Sequence, residues 1–470
     1  MNETLATDSG PAAGGPPPAG GRMGAIAGKY GRTSLIILAL IVLLGFGLRM
    51  EKVVNPLAQP GDDALAYRAL AESLYEDKSY GGPDFDTPSD WSPGAPLIYA
   101  GAYYLTGGVR DGVARGVEAL FGTAAILLAY LLAFRLSRRR AAPLIAAALV
   151  AFYPPFIHST GALMSEPPAI FTLPAAVLCF WWADGRENWW AWIPAGLLLG
   201  LTALIRPEYM VVAALFALFL LIRAWMKRGP RQAVVATIAM GLAILVPIVP
   251  WTIRNHNDLG RWVPISTGSG KALFVGSNLP ADGDYKRVKA QLLEEQRGIT
   301  LAPDSAELEK VDPVPLFDEA ARQYRIENDL PDLTRDQALG RLGKENLRDY
   351  LTEQPLDYIG MSFRKVWRMW GSGVGEAMSS PLGALIQKLL VLAGLIALGW
   401  LGWKRRWEAI ALAIPILTVT AVGAATLAPA RRNEILMTLV LPLAAVALAE
   451  AAGWIRERSR TDSGSTGAPT

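Results

Sequence analysis

Two adjacent carboxylates, Asp62 and Asp63, follow a Pro-Gly turn and precede a segment whose apolar residues recur at helical spacing. A carboxylate held in place can accept the proton of an attacking hydroxyl group, and such general-base assistance contributes roughly 10²- to 10⁴-fold to a rate. The same residues are typical of a turn followed by a helix cap. One aspartate can cap the helix while the other faces a site, and we favour Asp62 as the base.

Glu166 is a second acidic candidate, and it lies between two apolar runs in the sequence Ser-Glu-Pro. That sequence is equally suited to the first turn of a helix, where a carboxylate complements the helix dipole. A site that orients an acceptor and a structural helix start therefore remain as alternatives for Glu166. His158 is one of two histidines in the chain, and a structural role is the favoured interpretation for it.

Four arginines stand at the outer ends of predicted membrane spans, where Lys and Arg are less common than on the cytoplasmic side, namely Arg206, Arg254, Arg431 and Arg432. A guanidinium group binds phosphate through two parallel hydrogen bonds, which indicates a phosphate site. Anchoring to lipid headgroups is the alternative interpretation. Lys271 follows Gly-Ser-Gly, but the complete Gly-x4-Gly-Lys-Ser/Thr pattern of a nucleotide phosphate loop is absent, so we assign it no nucleotide role.

The chain that positions these residues has 470 residues, of which 52% are hydrophobic and 19% are charged. The apolar residues are concentrated in about ten runs of roughly 17 to 22 residues, long enough for a helix to cross a bilayer core of about 30 Å. The sequence therefore predicts an all-α polytopic membrane protein with about ten transmembrane helices. A net charge of +3 does not indicate nucleic-acid binding, and a single cysteine, Cys179, excludes an intrachain disulfide.

Clusters of Lys and Arg in short loops, such as residues 138–140 and 404–406, predict which side of the membrane is cytoplasmic. Both termini then lie in the cytoplasm, and two long segments lie outside with juxtamembrane helices and a small mixed domain. The predicted organisation is a disordered cytoplasmic tail (1–30), an N-terminal transmembrane catalytic module (31–251) with a first outer loop (50–112), an extracytoplasmic domain (252–381), C-terminal transmembrane helices (382–456) and a second disordered cytoplasmic tail (457–470).

The order of several motifs resembles that of the polyprenyl-phosphate-sugar-dependent glycosyltransferases of the C superfamily, in particular the family 39 relatives that include protein mannosyltransferases and lipid A aminoarabinose transferases. The motifs are the acidic pair after the first span, Ser-Pro-Gly-Ala-Pro-Leu-Ile-Tyr (92–99), Pro-Trp-Thr-Ile-Arg-Asn (250–255) and Gly-Arg-Trp-Val-Pro-Ile-Ser-Thr (260–267). Near the C-terminus such proteins often have an arginine, an aromatic residue and prolines, whereas this chain has Ala-Arg-Arg-Asn-Glu (430–434).

The resemblance implies an inverting glycosyltransferase that moves a sugar from a polyprenyl-phosphate donor to an envelope lipid, glycan or protein on the outer face of a bacterial-type inner membrane. It places the base at Asp62 or Asp63, and it places Glu166 near the donor or a divalent metal such as Mg or Mn. An envelope glycan ligase and a lipid-linked sugar transporter are the alternatives. A transporter would use charged residues within its spans and repeated halves, and the sequence shows few such charges and no inverted repeat.

Overall fold

The computed structural model describes residues 31–56, 62–81 and 88–465. The predicted tail 1–30 therefore lies outside the described residues, as does the side chain of Asp62. The last helix continues to Ser465, so residues 457–465 are helical where the sequence analysis expected disorder. Their charged residues are good helix formers, and they extend a helix that has already been nucleated.

The described regular elements are helices throughout. The first set comprises α1 Arg32–Val54, α2 Asp62–Glu76, α3 Gly94–Thr106, α4 Asp111–Leu136, α5 Ala141–Phe152, α6 Pro154–His158, α7 Glu166–Asp184, α8 Ile193–Ile205, α9 Tyr209–Arg228 and α10 Pro230–Leu259. The second set is called the outer helices here, after the side of the membrane that the sequence predicts for it, and it comprises α11 Ser269–Ser277, α12 Tyr285–Arg297, α13 Ala306–Lys310, α14 Val314–Glu327, α15 Arg335–Glu353, α16 Pro355–Gly371 and α17 Glu376–Ser379. The final set comprises α18 Pro381–Trp403, α19 Trp407–Ala425 and α20 Arg431–Ser465. Two short 3-10 helices are Pro88–Asp90 and Trp189–Trp192.

Within the described part of the chain, seven helices are long and apolar enough to cross a membrane: α1, α4, α9, α10, α18, α19 and the part of α20 before residue 460. The other three predicted spans correspond to shorter or more polar helices. α5 and α8 are apolar but short, and α7 carries Pro174 and Asp184 and is buried along most of its length. The prediction of a polytopic all-α membrane protein is therefore confirmed.

Close helix packing in the bundle depends on small residues. Gly196 and Gly200 on α8 face α10, where an added Cβ would lie 2.4 Å from Met240 O and 2.3 Å from Ile244 O. Spacing of small residues by four positions lets two helix backbones approach each other in a membrane. The helices α8 and α10 thus form a closely packed side of the bundle. The chain continues from α10 into α11, the first of the outer helices.

The outer segment 252–381 is helical in its described residues, and its small domain is not the mixed structure that the sequence analysis expected. Capping explains the helices: the Asp284 side chain accepts hydrogen bonds from the first turn of α12, and Thr334 forms a capping box with Gln337 at the start of α15. Phe274, Leu316 and Leu339 contribute to a separate core that joins α11, α14 and α15.

Charged residues are buried within the spans more often than the sequence suggested. Arg49 near the end of α1 is fully buried, and it donates hydrogen bonds to Val150 O (3.1 Å) and Ala151 O (3.2 Å). These carbonyl groups lie in the last turn of α5, where no helical N–H is available to them. Arg49 therefore caps a helix that Pro154 and Pro155 bring to an end.

Candidate active site

Asp63 and Arg431 form an ion pair at the centre of the site. Asp63 lies in the first turn of α2, and Arg431 is the first residue of α20. The Nε atom of Arg431 also lies 3.7 Å from Oε1 of Glu166. The pair therefore connects the first outer segment to the start of the last helix and to α7.

Glu166 begins α7 and is 1% exposed. Its carboxylate pairs with Arg206, which follows α8 directly. A buried carboxylate needs such a partner because it has lost its hydration. Glu208 extends the network, since its Oε1 lies 4.0 Å from Nε of Arg432. Burial opposes ionisation of Glu208, but the guanidinium groups of Arg432 and Arg206 outweigh it and hold the pKa of Glu208 below its ordinary value.

A buried glutamate on α4 fixes the loop that precedes Glu166. Glu118 accepts hydrogen bonds from the Tyr99 hydroxyl and from three backbone N–H groups of that loop. The partners are Tyr99 Oη (2.7 Å), Gly161 N (2.8 Å), Leu163 N (3.2 Å) and Met164 N (2.8 Å). Two of these loop residues have positive φ, 87° at Gly161 and 56° at Leu163, so the carboxylate stabilises a strained backbone.

The start of α20 is fixed by contacts with α16 and α19. Asn433 donates hydrogen bonds to Met369 O and Ser372 O at the end of α16. The Nη1 atom of Arg432 donates to the Thr426 hydroxyl at 3.0 Å. Because Arg431 directly precedes these two anchored residues, its guanidinium group has a defined position beside Asp63.

The first of three cavities at the Asp63–Arg431 pair has a volume of about 770 Å³ and is called the cationic cavity here. Its basic residues are Lys271, Lys365, Arg368, Lys388 and Arg431. Trp367 on α16 lines the same cavity and is 67% exposed, at a helix face that also exposes Leu356 and Phe363. An amphipathic helix with exposed aromatic residues is typical of the membrane interface.

Lys365 is the most buried cation of the cationic cavity, at 1% exposure. Its ammonium group donates hydrogen bonds to Gly276 O (2.6 Å) and Thr426 O (3.0 Å). Burial and the nearby charge of Arg368 lower the pKa of Lys365 to about 8. The charge of this cavity therefore changes within an accessible pH range.

The second cavity, of about 450 Å³, lies between the first outer segment and the outer helices, and it is called the aromatic cavity here. Its principal residues are Asp63, Tyr67, Asp90, Trp91, Lys271, Tyr285, Phe317, Arg335 and Arg431. Asp90 pairs with Arg335 of α15, which connects the two walls. Lys271 lies over the rings of Phe317 and Tyr285, and burial lowers its pKa.

The third cavity, of about 320 Å³, is called the inner cavity here. Its polar residues are Asp63, His158, Ser159, Glu166, Arg431 and Glu434, and its apolar residues are Ala64, Ala162, Met164 and Val374. His158 thus borders the site, and burial lowers its pKa.

The structure brings together five of the predicted site residues: Asp63, Glu166, Arg206, Arg431 and Arg432. Arg254 lies apart from them, where it pairs with Asp258 at 2.6 Å and donates a hydrogen bond to Tyr80 O. The sequence analysis missed Glu118, Lys365 and Glu434. Glu118 was detectable as a lone acid in a predicted span, and Glu434 as the acid directly after the Arg-Arg-Asn sequence, whereas Lys365 looks like any cation of an amphipathic helix.

The described residues contain no group of three or more His, Cys, Asp or Glu side chains that could hold a metal ion. The carboxylates of Asp63 and Glu166 instead face guanidinium groups. The donor set of the described residues therefore does not fit the Mg or Mn that the sequence resemblance allowed.

The chain has the fold of a polytopic helical membrane protein, and solved structures of an oligosaccharyltransferase share that fold. The archaeal oligosaccharyltransferase AglB from Archaeoglobus fulgidus, in complex with an inhibitory peptide and a dolichol-phosphate, is 14% identical and superimposes with a TM-score of 0.51 over 93% of this chain and 52% of that one. The same enzyme tethered to an acceptor peptide containing the NVT sequon gives 15% identity and a TM-score of 0.51, over 88% and 49% of the two chains. The chain thus spans about half the length of the oligosaccharyltransferase.

Residues 95–258 match the family described as dolichyl-phosphate-mannose-protein mannosyltransferase. ArnT from Cupriavidus metallidurans, bound to undecaprenyl phosphate, is 14% identical over 89% of this chain and 78% of that one, with a TM-score of 0.35. No curated protein sequence matches the chain. The resemblance that the motifs indicated is confirmed by the family match and by the shared fold.

Proposed function

We propose that this protein is an inverting glycosyltransferase that moves a hexose or a pentose from a polyprenyl-phosphate carrier to an acceptor of the cell envelope. The observation that carries the proposal is the junction of three cavities at Asp63 and Arg431, both of which line all three. Glycosyl transfer needs one place each for the leaving phosphate, the sugar ring and the attacking acceptor. The junction offers these places around one carboxylate.

The chemistry follows from that arrangement. The acceptor hydroxyl attacks the anomeric carbon and forms the new C–O bond, while the carboxylate of Asp63 takes the hydroxyl proton. The bond between the anomeric carbon and the phosphate oxygen breaks on the opposite side, and its electron pair stays on the phosphate. Arg431 and the other cations stabilise the charge that develops there. Attack opposite to the leaving group inverts the anomeric configuration.

The cationic cavity suits the phosphate of the donor. Its lysines and arginines complement an anion, and the exposed apolar face of α16 suits a position at the bilayer surface. A polyprenyl phosphate has its charge at that depth and its chain in the hydrocarbon. The dolichol-phosphate named with the oligosaccharyltransferase is a ligand of the same chemical class.

The aromatic cavity suits the acceptor. Aromatic faces together with polar groups are typical of sites that orient an organic ligand, and this cavity combines Tyr67, Trp91 and Phe317 with charged side chains. An envelope lipid, a glycan and a protein all remain open as acceptors. The acceptor peptide named with the oligosaccharyltransferase belongs to the last of these classes.

We further propose that the site faces the extracytoplasmic side of a bacterial-type inner membrane, with both termini in the cytoplasm. The basic loops support this orientation. In a Cys179→Ala background, Thr300→Cys should react with a membrane-impermeant thiol label in intact cells whose outer barrier has been permeabilised, and Arg138→Cys should not. Both positions are exposed, so the reverse labelling pattern would overturn the orientation.

The activity is tested by comparing envelope lipids and glycoproteins from cells with and without the protein by mass spectrometry. A hexose or pentose increment that depends on the protein and is lost in Asp63→Asn is the expected result. In nanodiscs, the wild-type protein should release polyprenyl phosphate from a matched donor. Use of diphosphate-linked glycans alone would favour a ligase, and movement of intact donor across vesicles without bond cleavage would favour a transporter.

A further inference from the structure

The inner cavity contains a buried polar atom that the proposed reaction does not use. Glu434 is 1% exposed, and its Oε1 has no hydrogen-bond partner among the described residues. Ser159 borders the same cavity and is 5% exposed. Its Oγ has no hydrogen-bond partner among the described residues. The Ser159 hydroxyl nevertheless lies close enough to the Glu434 carboxyl group to interact with it. Buried polar atoms without partners are rare and costly, so each needs an explanation.

The position of Glu434 is set by helix geometry. It follows Arg431 by three residues on α20, so the two side chains lie on one face of the helix. Its electrostatic neighbours include Glu166, Arg206 and Arg431. Arg206 and Arg431 pair with other carboxylates, Glu166 and Asp63, so Glu434, which borders the inner cavity, forms no ion pair of its own among the described residues.

We propose that Glu434, together with Ser159, binds hydroxyl groups of the sugar that is being transferred. This inference rests on the proposed function and deepens it. Glu434 accepts a hydrogen bond from a ring hydroxyl, and the Ser159 hydroxyl donates to or accepts from an adjacent one. The ring then lies in the inner cavity with its anomeric carbon at the Asp63–Arg431 junction.

The lining of the inner cavity favours a neutral polyol over other ligands. An anion would meet the carboxylates of Asp63 and Glu166, whereas a free cation would meet Arg431 and Arg206 nearby. Apolar side chains such as Met164 and Val374 suit the C–H faces of a sugar ring. A volume of about 320 Å³ is at the small end of ligand sites, which span about 300 to 1,000 Å³; this size favours a single sugar residue.

The test compares donors that differ by one hydroxyl group. The wild-type protein is assayed with its polyprenyl-phosphate sugar and with a set of monodeoxy analogues of that sugar. A site with buried polar groups rejects an analogue that leaves them unpaired, so at least one deoxy donor should show kcat/KM lowered by about tenfold or more. Glu434→Gln should lower kcat/KM for the complete sugar by a similar factor and should no longer reject that deoxy donor.

Control variants separate this role from a general effect on structure. Glu450→Gln changes a carboxylate on the same helix that pairs with Arg139, and it should keep the wild-type pattern of discrimination. Ser159→Ala should weaken discrimination at a hydroxyl adjacent to the one that Glu434 binds. If Glu434→Gln and Ser159→Ala both keep the wild-type ratios between donors, the inference is wrong. If the wild-type protein transfers no sugar from any polyprenyl-phosphate donor, the proposed function fails instead.

Discussion

The cationic cavity and the inner cavity share Asp63 and Arg431 but differ in charge. The first gathers lysines and arginines near the interfacial helix α16, and the second gathers Glu166 and Glu434 inside the bundle. One ligand with an anionic end and a neutral hydroxylated end fits this division in a single orientation. If the proposed function is correct, we expect electrostatics to determine the direction of the donor before any contact with the acceptor.

The largest expected effect is at Asp63, the carboxylate that both cavities share. Asp63→Asn keeps the shape of the side chain but cannot take a proton, so turnover should fall by at least about 10²-fold. The variant should still insert into the membrane, which protein levels would report. Asp62→Asn is the matched comparison, because the sequence analysis favoured Asp62 as the base. Near-normal transfer by both variants would shift the base to Glu166.

A smaller effect is expected at the arginine of the junction. Arg431→Lys keeps the positive charge but loses the planar guanidinium group, so the apparent KM for the lipid-linked donor should rise roughly tenfold, or about 1.4 kcal/mol. Arg432→Lys should change the KM less, because Arg432 is directed toward Glu208 and Thr426. Donor kinetics that are unchanged in both variants would leave only membrane anchoring as an explanation.

The cationic cavity should also respond to pH. The ammonium group of Lys365, with a pKa of about 8, is charged below that value and loses its charge as the pH rises through it. The KM for the donor should therefore rise about three- to tenfold between pH 7 and pH 9, since a charge-assisted hydrogen bond contributes about 1.5 to 3 kcal/mol. Lys365→Arg keeps its charge, and a KM that rises equally in this variant would refute the assignment.

The smallest effect is expected at the arginine outside both cavities. Arg254→Lys should leave the KM for the donor within about twofold of wild type, because the Arg254 side chain contacts Tyr80 and Asp258 and lines none of the three cavities. The variant tests the sequence-based assignment of Arg254 to the donor phosphate. A tenfold rise in KM, equal to that of Arg431→Lys, would show that the donor extends to this region.

The sequence was sufficient for the membrane bundle because hydrophobic length and basic loops follow from local composition. It also selected Asp63, Glu166 and Arg431, which are unusual for their loops. It could not tell that Arg431 lies in the site and Arg254 outside it, because both are arginines at the outer ends of predicted spans. Only the packing of segments that are distant in the sequence distinguishes them. Lys365 was not singled out because Arg364 and Arg368 share its helix, and helical periodicity alone does not identify which cation faces a cavity.

The anchoring of the loop by Glu118 has a consequence for biosynthesis. The chain is made from its N-terminus, so α4 enters the membrane before the loop that contains Gly161 and Met164 has reached it. Until those N–H groups arrive, they cannot donate to the carboxylate of Glu118, and an acid within a span costs up to about 2.5 to 3.5 kcal/mol, the value on insertion scales for the helix centre. The long apolar run that follows Glu118 in α4 offsets this cost. The same helix therefore has to be hydrophobic enough to insert alone and has to keep one carboxylate that later holds the loop by hydrogen bonds.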